Sequence, residues 1–168
     1  MKHKIYSVVA VDQNMGISKD GKIPWNIKED MKYFKNLTIS TKDKNKRNMV
    51  IMGRVTWESL PKLLINRRNV IITRNKDYID KGADVVHSLQ EAIELADEEI
   101  ETIYVIGGAQ IYLEADNVQD GVYMTIINKD YDCDIKFLMK KEFKHKPRCV
   151  GARERNGVFL LFSHSFHN

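Results

Sequence analysis

The chain has 168 residues, of which 43% are apolar, which is enough for one domain with a sizeable core. Its 27 basic and 23 acidic residues give a net charge of +4 but are spread along the sequence, unlike a nucleic-acid footprint. No apolar run approaches the roughly 20 residues of a membrane span. Two cysteines and five histidines without ligand spacing predict neither a disulfide framework nor a metal site. We expect one soluble, cytoplasmic domain over residues 1–168, without nucleic-acid or membrane partners.

The first predicted element is a strand over residues 5–11, since this run is nearly continuous in β-branched side chains. Residues 12–23 contain Gly16 and Gly21 and show little periodicity, so a connecting loop is predicted there. Asn26, with Glu29 three residues later, is predicted to cap a helix over residues 27–37.

That helix carries a carboxylate in an unexpected place. At about 100° per residue, Asp30 projects into the apolar arc formed by Ile27, Met31, Phe34 and Leu37, while the other charged side chains, Glu29 included, point away. Burying an unpaired carboxylate costs several kcal/mol, which indicates a functional use. Two structural explanations stay open: neighbouring donors satisfy Asp30, or a late helix start makes it a dipole partner.

Strands and helices alternate over the next part of the chain. Residues 40–47 are polar and predict an exposed loop. Strands are predicted at 49–52, 69–73, 84–86 and 102–106, and helices at 53–60, 88–98 and 109–115. A strand at 122–127 and an antiparallel hairpin of strands 149–153 and 158–164 complete the chain.

This order predicts an α/β fold. We expect a single domain with a central, mostly parallel mixed sheet of about eight strands, flanked by about four helices, with a C-terminal antiparallel hairpin. Ligands of such sheets bind beyond the carboxyl ends of the strands. The sequence places the following candidates at those ends: Arg54, Thr56, Arg74, Gly107 and Gly108.

Three motifs carry a family resemblance. The first is Pro24-Trp25 with Asp30 and Phe34 at fixed spacing, the second is the block Val-Ile-Met-Gly-Arg-x-Thr-Trp-Glu-Ser over residues 50–59, and the third is Ile106-Gly107-Gly108-x-x-x-Tyr112. Their order, spacing and identity strongly resemble dihydrofolate reductase. The resemblance implies an NADPH-dependent enzyme that reduces 7,8-dihydrofolate to 5,6,7,8-tetrahydrofolate for one-carbon metabolism and thymidylate synthesis. It also implies a monomer that binds antifolate inhibitors and needs no metal.

The resemblance also implies roles for individual residues. Asp30 would bind the pterin and promote protonation at N5, with hydride delivered to C6, and the residues that act with it would be Trp25, Thr125 and Ile23. Arg67 would pair with the glutamate α-carboxylate as a bidentate fork. The implied substrate-binding residues are Val8, Asp30, Phe34, Leu64, Arg67 and Thr125.

On the cofactor side, the resemblance implies a cis peptide between Gly107 and Gly108 that faces the pyrophosphate. Arg54 and Arg74 would favour the 2′-phosphate, and hence NADPH over NADH. The implied cofactor contacts are Val9, Ala10, Ile17, Gly53, Arg54, Val55, Thr56, Thr73, Arg74, Ile106, Gly107, Gly108, Gln110, Ile111 and Tyr112. The loop at residues 12–23 is expected to close over this site.

Two segments depart from the family pattern. Ile65-Asn66 precedes Arg67 where many members have Pro-Gly, and residues 134–138 replace the usual Asp-Thr-x-Phe-Pro. Two other functions also stay open. A pyrimidine reductase of the riboflavin pathway would share the NADPH site but lack the Trp25, Asp30 and Phe34 pattern, and a noncatalytic module for RNA could use the positive charge. An assay of NADPH consumption with dihydrofolate discriminates between these functions.

Overall fold

The computed structural model describes residues 2–140 in full and the backbone of residues 148–155 and 158–166. The turn predicted around Gly157 lies outside the described residues. The elements are, in chain order, β1 (Lys4–Val11), β2 (Gly16–Ser18), α1 (Lys28–Ile39), β3 (Arg47–Gly53), α2 (Arg54–Ser59), β4 (Arg67–Ile72), β5 (Asp84–Val86), α3 (Leu89–Glu94), β6 (Ile100–Val105), α4 (Ala109–Ala115), β7 (Gly121–Ile127), β8 (Ile135–Lys136), β9 (Arg148–Arg155) and β10 (Val158–Phe166).

Eight strands form one sheet in the order β5-β4-β3-β6-β1-β7-β10-β9. Neighbouring strands from β5 to β7 pair in parallel, and β10 runs antiparallel to both β7 and β9. The mostly parallel sheet, the helices that flank it and the C-terminal hairpin confirm the predicted fold class. β1 lies inside the sheet, which explains its nearly continuous run of apolar side chains.

The two faces of the sheet carry separate hydrophobic clusters, because consecutive strand residues point to opposite sides. On β3, Met49 and Ile51 belong to the larger cluster, which includes side chains of α3 and α4. Val50 and Met52 belong to the smaller cluster, which includes side chains of α1 and α2. All four are completely buried, so β3 has the unbroken apolar sequence of a strand covered on both faces.

Helix α1 begins later than the sequence predicted. Its N-cap is Ile27, in an extended conformation, and no side chain caps the helix, so the capping role predicted for Asn26 and Glu29 is wrong. Trp25 and Ile27 both pack in the cluster around Ile127. This packing keeps the chain extended through Ile27 and outweighs the capping preference of Asn26.

The apolar arc of α1 is less buried than predicted. Met31 is 59% exposed, Phe34 is half-buried, and Thr38 is the one fully buried residue of the helix. Glu29, predicted to point to solvent, is half-buried. The helix is therefore anchored most firmly at its C-terminal end and leaves part of its apolar arc accessible.

Two loop predictions and the predicted end of one helix also differ from the structure. The segment 12–23 contains the short strand β2, which pairs with β8. Because β8 is distant in sequence, the pairing leaves no local signal.

Helix α3 ends at Glu94 and not near residue 98, because Asp97 forms a turn that leads into β6. The carboxylate of Asp97 accepts a hydrogen bond from Glu99 N, and its carbonyl oxygen accepts one from Ile100 N. Arg47, predicted to lie in the exposed loop, is the first residue of β3.

No helix within the described part of the chain is both long and apolar enough to cross a membrane.

Candidate active site

Asp30 lies in the first turn of α1 and is half-buried. Burial raises the pKa of the Asp30 carboxyl, and a hydrogen bond from the hydroxyl of Thr125 opposes that rise. Thr125 lies on β7 and is only 2% exposed. Among the described residues, no basic side chain lies within ion-pair distance of Asp30. The structure therefore brings Asp30 and Thr125 together as predicted, without a cation to neutralise the carboxylate.

The charge of Asp30 reaches two tyrosines, Tyr33 on α1 itself and Tyr112 on α4. Burial raises the pKa of Tyr33 to about 12, and electrostatic interactions with Tyr123 and Asp30 add to the effect. Burial also raises the pKa of Tyr112, and Asp30 contributes again. Tyr112 donates a hydrogen bond of 2.7 Å from its hydroxyl to the carbonyl oxygen of Val8. Tyr112 therefore joins α4 to β1, and its pKa is sensitive to the carboxylate on α1.

Four residues predicted to line the substrate or cofactor site pack in one cluster. They come from different parts of the chain but all lie in the smaller hydrophobic cluster, on one face of the sheet: Val8, Phe34, Leu64 and Ile106. Val8 is 7% exposed, whereas the other three are half-buried. The cluster therefore offers accessible apolar surface next to Asp30, which suits a flat aromatic ligand.

Trp25 belongs to a different hydrophobic cluster. It packs around Ile127 together with Ala10, Ile27, Tyr33 and Tyr131. Its ring meets the ring of Tyr131 edge-on, with 5.2 Å between the centroids. Ile23, in contrast, is 65% exposed and belongs to none of these clusters. Its assignment to the site stays a prediction.

Arg67 is the first residue of β4 and is only 8% exposed. Its Nη1 donates to Thr38 Oγ1 at 2.8 Å, and its Nε donates to the carbonyl oxygen of Ile65 at 3.1 Å. Burial lowers the pKa of the guanidinium. In the described part of the chain, no carboxylate forms an ion pair with it. A buried cation held only by neutral acceptors is a suitable site for an external carboxylate.

The paired glycines lie where β3 and β6 end. Gly53 N donates to Gly107 O at 2.8 Å, and Ile106 N donates to Ile51 O at 2.9 Å. The peptide bond between Gly107 and Gly108 is cis. Gly107 has a φ of 124°, which side chains other than hydrogen rarely allow, so glycine is required there.

This edge also brings α2 and α4 close together. A Cβ atom on Gly108 would lie 3.5 Å from Thr56 Oγ1, and one on Gly53 would lie 3.5 Å from Ile111 Cγ1. Both helices begin directly after these glycines. Backbone N–H groups at the start of a helix favour anions, so the donor set here suits a phosphate-containing ligand.

The residues predicted to bind the adenosine phosphate lie further along the same edge of the sheet. Thr73 N donates to Val86 O at 3.0 Å and thereby continues the pairing of β4 with β5. Arg74 follows and is exposed. Arg54 is exposed too, forms an ion pair with Glu58 at 2.9 Å between Nη1 and Oε2, and lies 6.0 Å from the ring centre of Tyr78. An incoming phosphate would have to compete with Glu58 for Arg54.

The other predicted cofactor contacts are dispersed. Val9 and Ile17 pack in or against the larger core cluster, and Val55 is 63% exposed. Gln110 is exposed and donates to Glu114 on its own helix at 3.1 Å. These positions stay predictions.

Several residues that shape the site were missed in the sequence. Asp12, completely buried at the end of β1, accepts hydrogen bonds from Asn14 N, Gly16 N and Tyr131 N and joins the 12–23 loop to the segment after β7. Burial alone would raise its pKa, but hydrogen bonds from Gly16, Tyr131, Asn14 and the thiol of Cys133 lower it overall. Gly16 packs so tightly against Cys133 that no side chain fits there.

Thr38 and Asn48 were also missed. Thr38 projects close to Phe34 on the helix at about 100° per residue, so the argument applied to Asp30 could have found it. Asn48 stands between a polar stretch and a buried strand, where no sequence pattern separates a loop residue from a buried amide.

Comparisons of the sequence and of the structure with known proteins agree on one family. The family model "Dihydrofolate reductase" matches residues 4–164. The bifunctional dihydrofolate reductase-thymidylate synthase of Daucus carota is 44% identical over 140 residues, which cover 76% of this chain and 26% of that protein. The chain thus spans about a quarter of the length of the bifunctional plant relatives that it matches.

Solved structures agree in fold over almost the whole chain. A Schistosoma mansoni dihydrofolate reductase is 32% identical, with a TM-score of 0.83, and the match covers 99% of both chains. A dihydrofolate reductase from Enterococcus faecalis, complexed with NADP(H) and RAB-propyl, is 27% identical, also with a TM-score of 0.83, and the match covers 98% of this chain and 96% of that one. The chain therefore belongs to the dihydrofolate reductase family.

Proposed function

We propose that the protein reduces 7,8-dihydrofolate to 5,6,7,8-tetrahydrofolate with NADPH. The observation that carries the proposal is Asp30, a half-buried carboxylate that has Thr125 as its donor and an apolar wall beside it. Family membership supports the same activity. The direct test is a spectrophotometric assay of NADPH loss with dihydrofolate, and absence of loss with correctly folded protein would reject the proposal.

Asp30 is the group that we assign to the pterin. A carboxylate accepts two parallel hydrogen bonds, which matches the 2-amino group and N3 of the ring. Phe34, Leu64, Val8 and Ile106 would pack on the ring faces and exclude water. Burial keeps the Asp30 carboxyl protonated to a higher pH than an exposed one, so it favours protonation at N5 of a bound pterin.

NADPH, when bound, supplies the hydride that reduces C6. Gly107 and Gly108 would let the backbone approach the pyrophosphate, with Gly53 and Thr56 beside them. Arg54, Thr73 and Arg74 would bind the adenosine phosphate. Support comes from the two helix N-termini at this edge and from the Enterococcus faecalis relative, whose structure contains NADP(H).

Arg67 would bind the α-carboxylate of the glutamate at the other end of the substrate. Its burial and its lack of an acidic partner among the described residues support this role. We further propose that residues 1–168 form one domain, that the protein is a cytoplasmic monomer, and that antifolates compete with the substrate at Asp30.

The first prediction concerns Asp30. Asp30→Asn retains the shape and a hydrogen-bonding capacity but removes the charge and the titration. We expect kcat/KM for dihydrofolate to fall by roughly 10²-fold or more at neutral pH, the usual scale for a positioned acid or base. Glu94→Gln makes the same chemical change at an exposed position of α3 and should have no such effect. Near-native activity of a folded Asp30→Asn protein would remove Asp30 from the mechanism.

The second prediction concerns Arg67. Arg67→Leu should raise the KM for dihydrofolate by about 10- to 100-fold, because a charge-assisted hydrogen-bond pair is lost, while the Kd for NADPH stays unchanged. Arg68→Leu is the matched control: Arg68 forms ion pairs with Asp84 and Asp97, so its replacement should change stability and leave the KM for dihydrofolate unchanged. Equal losses for both ligands in Arg67→Leu would indicate a folding role.

The third prediction concerns cofactor choice. Arg54→Ala and Arg74→Ala should each lower the ratio of kcat/KM with NADPH to kcat/KM with NADH. The expected decrease is about tenfold, because each variant loses one charge-assisted contact. Arg47→Ala removes an arginine at the opposite end of β3 and should leave the ratio unchanged. If both arginine variants keep the native ratio, the 2′-phosphate is bound elsewhere.

A further inference from the structure

The guanidinium of Arg67 is held at two points by neutral oxygens. Thr38 Oγ1 accepts from Nη1 at 2.8 Å, and Ile65 O accepts from Nε at 3.1 Å. A guanidinium has five N–H donors. Nη2 carries two of them, and within the described residues no protein acceptor is found for it. The donors left over are those that a ligand carboxylate would meet.

The hydroxyl of Thr38 has a fixed orientation. It donates its single proton to the carbonyl oxygen of Phe34, one helical turn earlier, at 2.8 Å. Its oxygen therefore has only lone pairs to offer to Arg67. Thr38 is completely buried, so water does not compete for this acceptor.

Both partners of this contact are fixed by buried asparagines. On the side of Thr38, Asn48 Nδ2 donates to Thr38 O at 3.0 Å and to Ser40 O at 2.8 Å, and its Oδ1 accepts from Thr102 N at 3.2 Å. The end of α1 is thereby attached to β3 and β6.

On the side of Arg67, Asn69 Nδ2 donates to the carbonyl oxygens of Leu64 and Arg67, both at 2.9 Å. This contact closes the loop in which Asn66 has a φ of 64°. Asn48 is 0% and Asn69 is 4% exposed, so neither contact depends on a mobile surface side chain.

We propose that Thr38 is a positioning residue for the substrate's carboxylate: its hydroxyl orients Arg67 so that the free N–H groups face the ligand. This inference rests on the proposed function of Arg67. A neutral acceptor suits the role better than an acidic one, because a carboxylate at position 38 would neutralise the guanidinium and compete with the ligand. Thr38 thereby contributes to selection of substrates that end in a carboxylate over pterins that lack one.

The test compares two substrates in Thr38→Val, which is close in size but has no hydroxyl. The KM for dihydrofolate should rise roughly tenfold, the scale of one hydrogen bond to a charged group, with kcat little changed. With 6-methyl-7,8-dihydropterin, which has no glutamate, kcat/KM should stay at the wild-type value. The Kd for NADPH should also stay unchanged. If Thr38→Val does not fold, Thr38→Ala is measured in the same way.

Two control variants separate positioning from general packing. Thr38→Ser retains the hydroxyl and should restore most of the preference for dihydrofolate. Ser40→Ala removes a hydroxyl that makes the same kind of bond at the end of α1, 2.6 Å to Asn36 O, but does not touch Arg67. It should leave the ratio of the two substrates unchanged.

The outcomes distinguish this inference from the function on which it rests. Equal losses with both substrates in Thr38→Val, or no loss with either, would overturn the inference. If Arg67→Leu raises the KM for dihydrofolate and Thr38→Val does not, the clamp stands and the role of Thr38 fails. If neither variant changes that KM, the role of Arg67 fails as well. In the double variant, Thr38→Val should add little to the loss caused by Arg67→Leu, because both changes remove one interaction.

Discussion

The proposed chemistry depends on the burial of the Asp30 carboxylate without a cation beside it among the described residues. Asp30 has apolar neighbours and the hydroxyl of Thr125, which opposes but does not cancel the rise of its pKa. Because an ion pair would lower that pKa and occupy the oxygens, the lack of a basic neighbour within the described residues leaves the group free to respond to a ligand. Burial of the Asp30 carboxylate costs stability, but the same burial makes the group responsive to a bound ligand.

Helix α1 sets the spacing between the two charged side chains that we propose bind the substrate, Asp30 and Arg67. Asp30 lies in its first turn, and Thr38, which holds Arg67, lies near its last residue. Eight residues of helix correspond to about 12 Å. One rigid element thus sets the distance between the carboxylate for the pterin and the guanidinium for the glutamate, while the sheet fixes the helix through Asn48.

The sequence predicted the fold well, because buried parallel strands leave continuous apolar runs and the three motifs are specific. It located Asp30 by helical periodicity and the Gly107-Gly108 pair by its position at the end of a predicted strand. The structure places Asp30 beside Thr125, and the Gly107-Gly108 peptide bond is cis, as the resemblance implied. It failed where tertiary contacts decide: Asn26 does not cap α1 because Trp25 and Ile27 pack instead, and β2 pairs with a partner that is distant in sequence. The buried amide of Asn48 left no pattern at all.

The most direct test of the account is the pH dependence of the hydride-transfer rate, measured by stopped flow in the presence of saturating ligands. The wild-type rate should increase as the pH falls through the raised pKa of Asp30, because the protonated form favours N5 protonation. Asp30→Asn should lose this titration and be slower throughout the neutral range. Identical profiles for the two proteins would contradict the central role of Asp30.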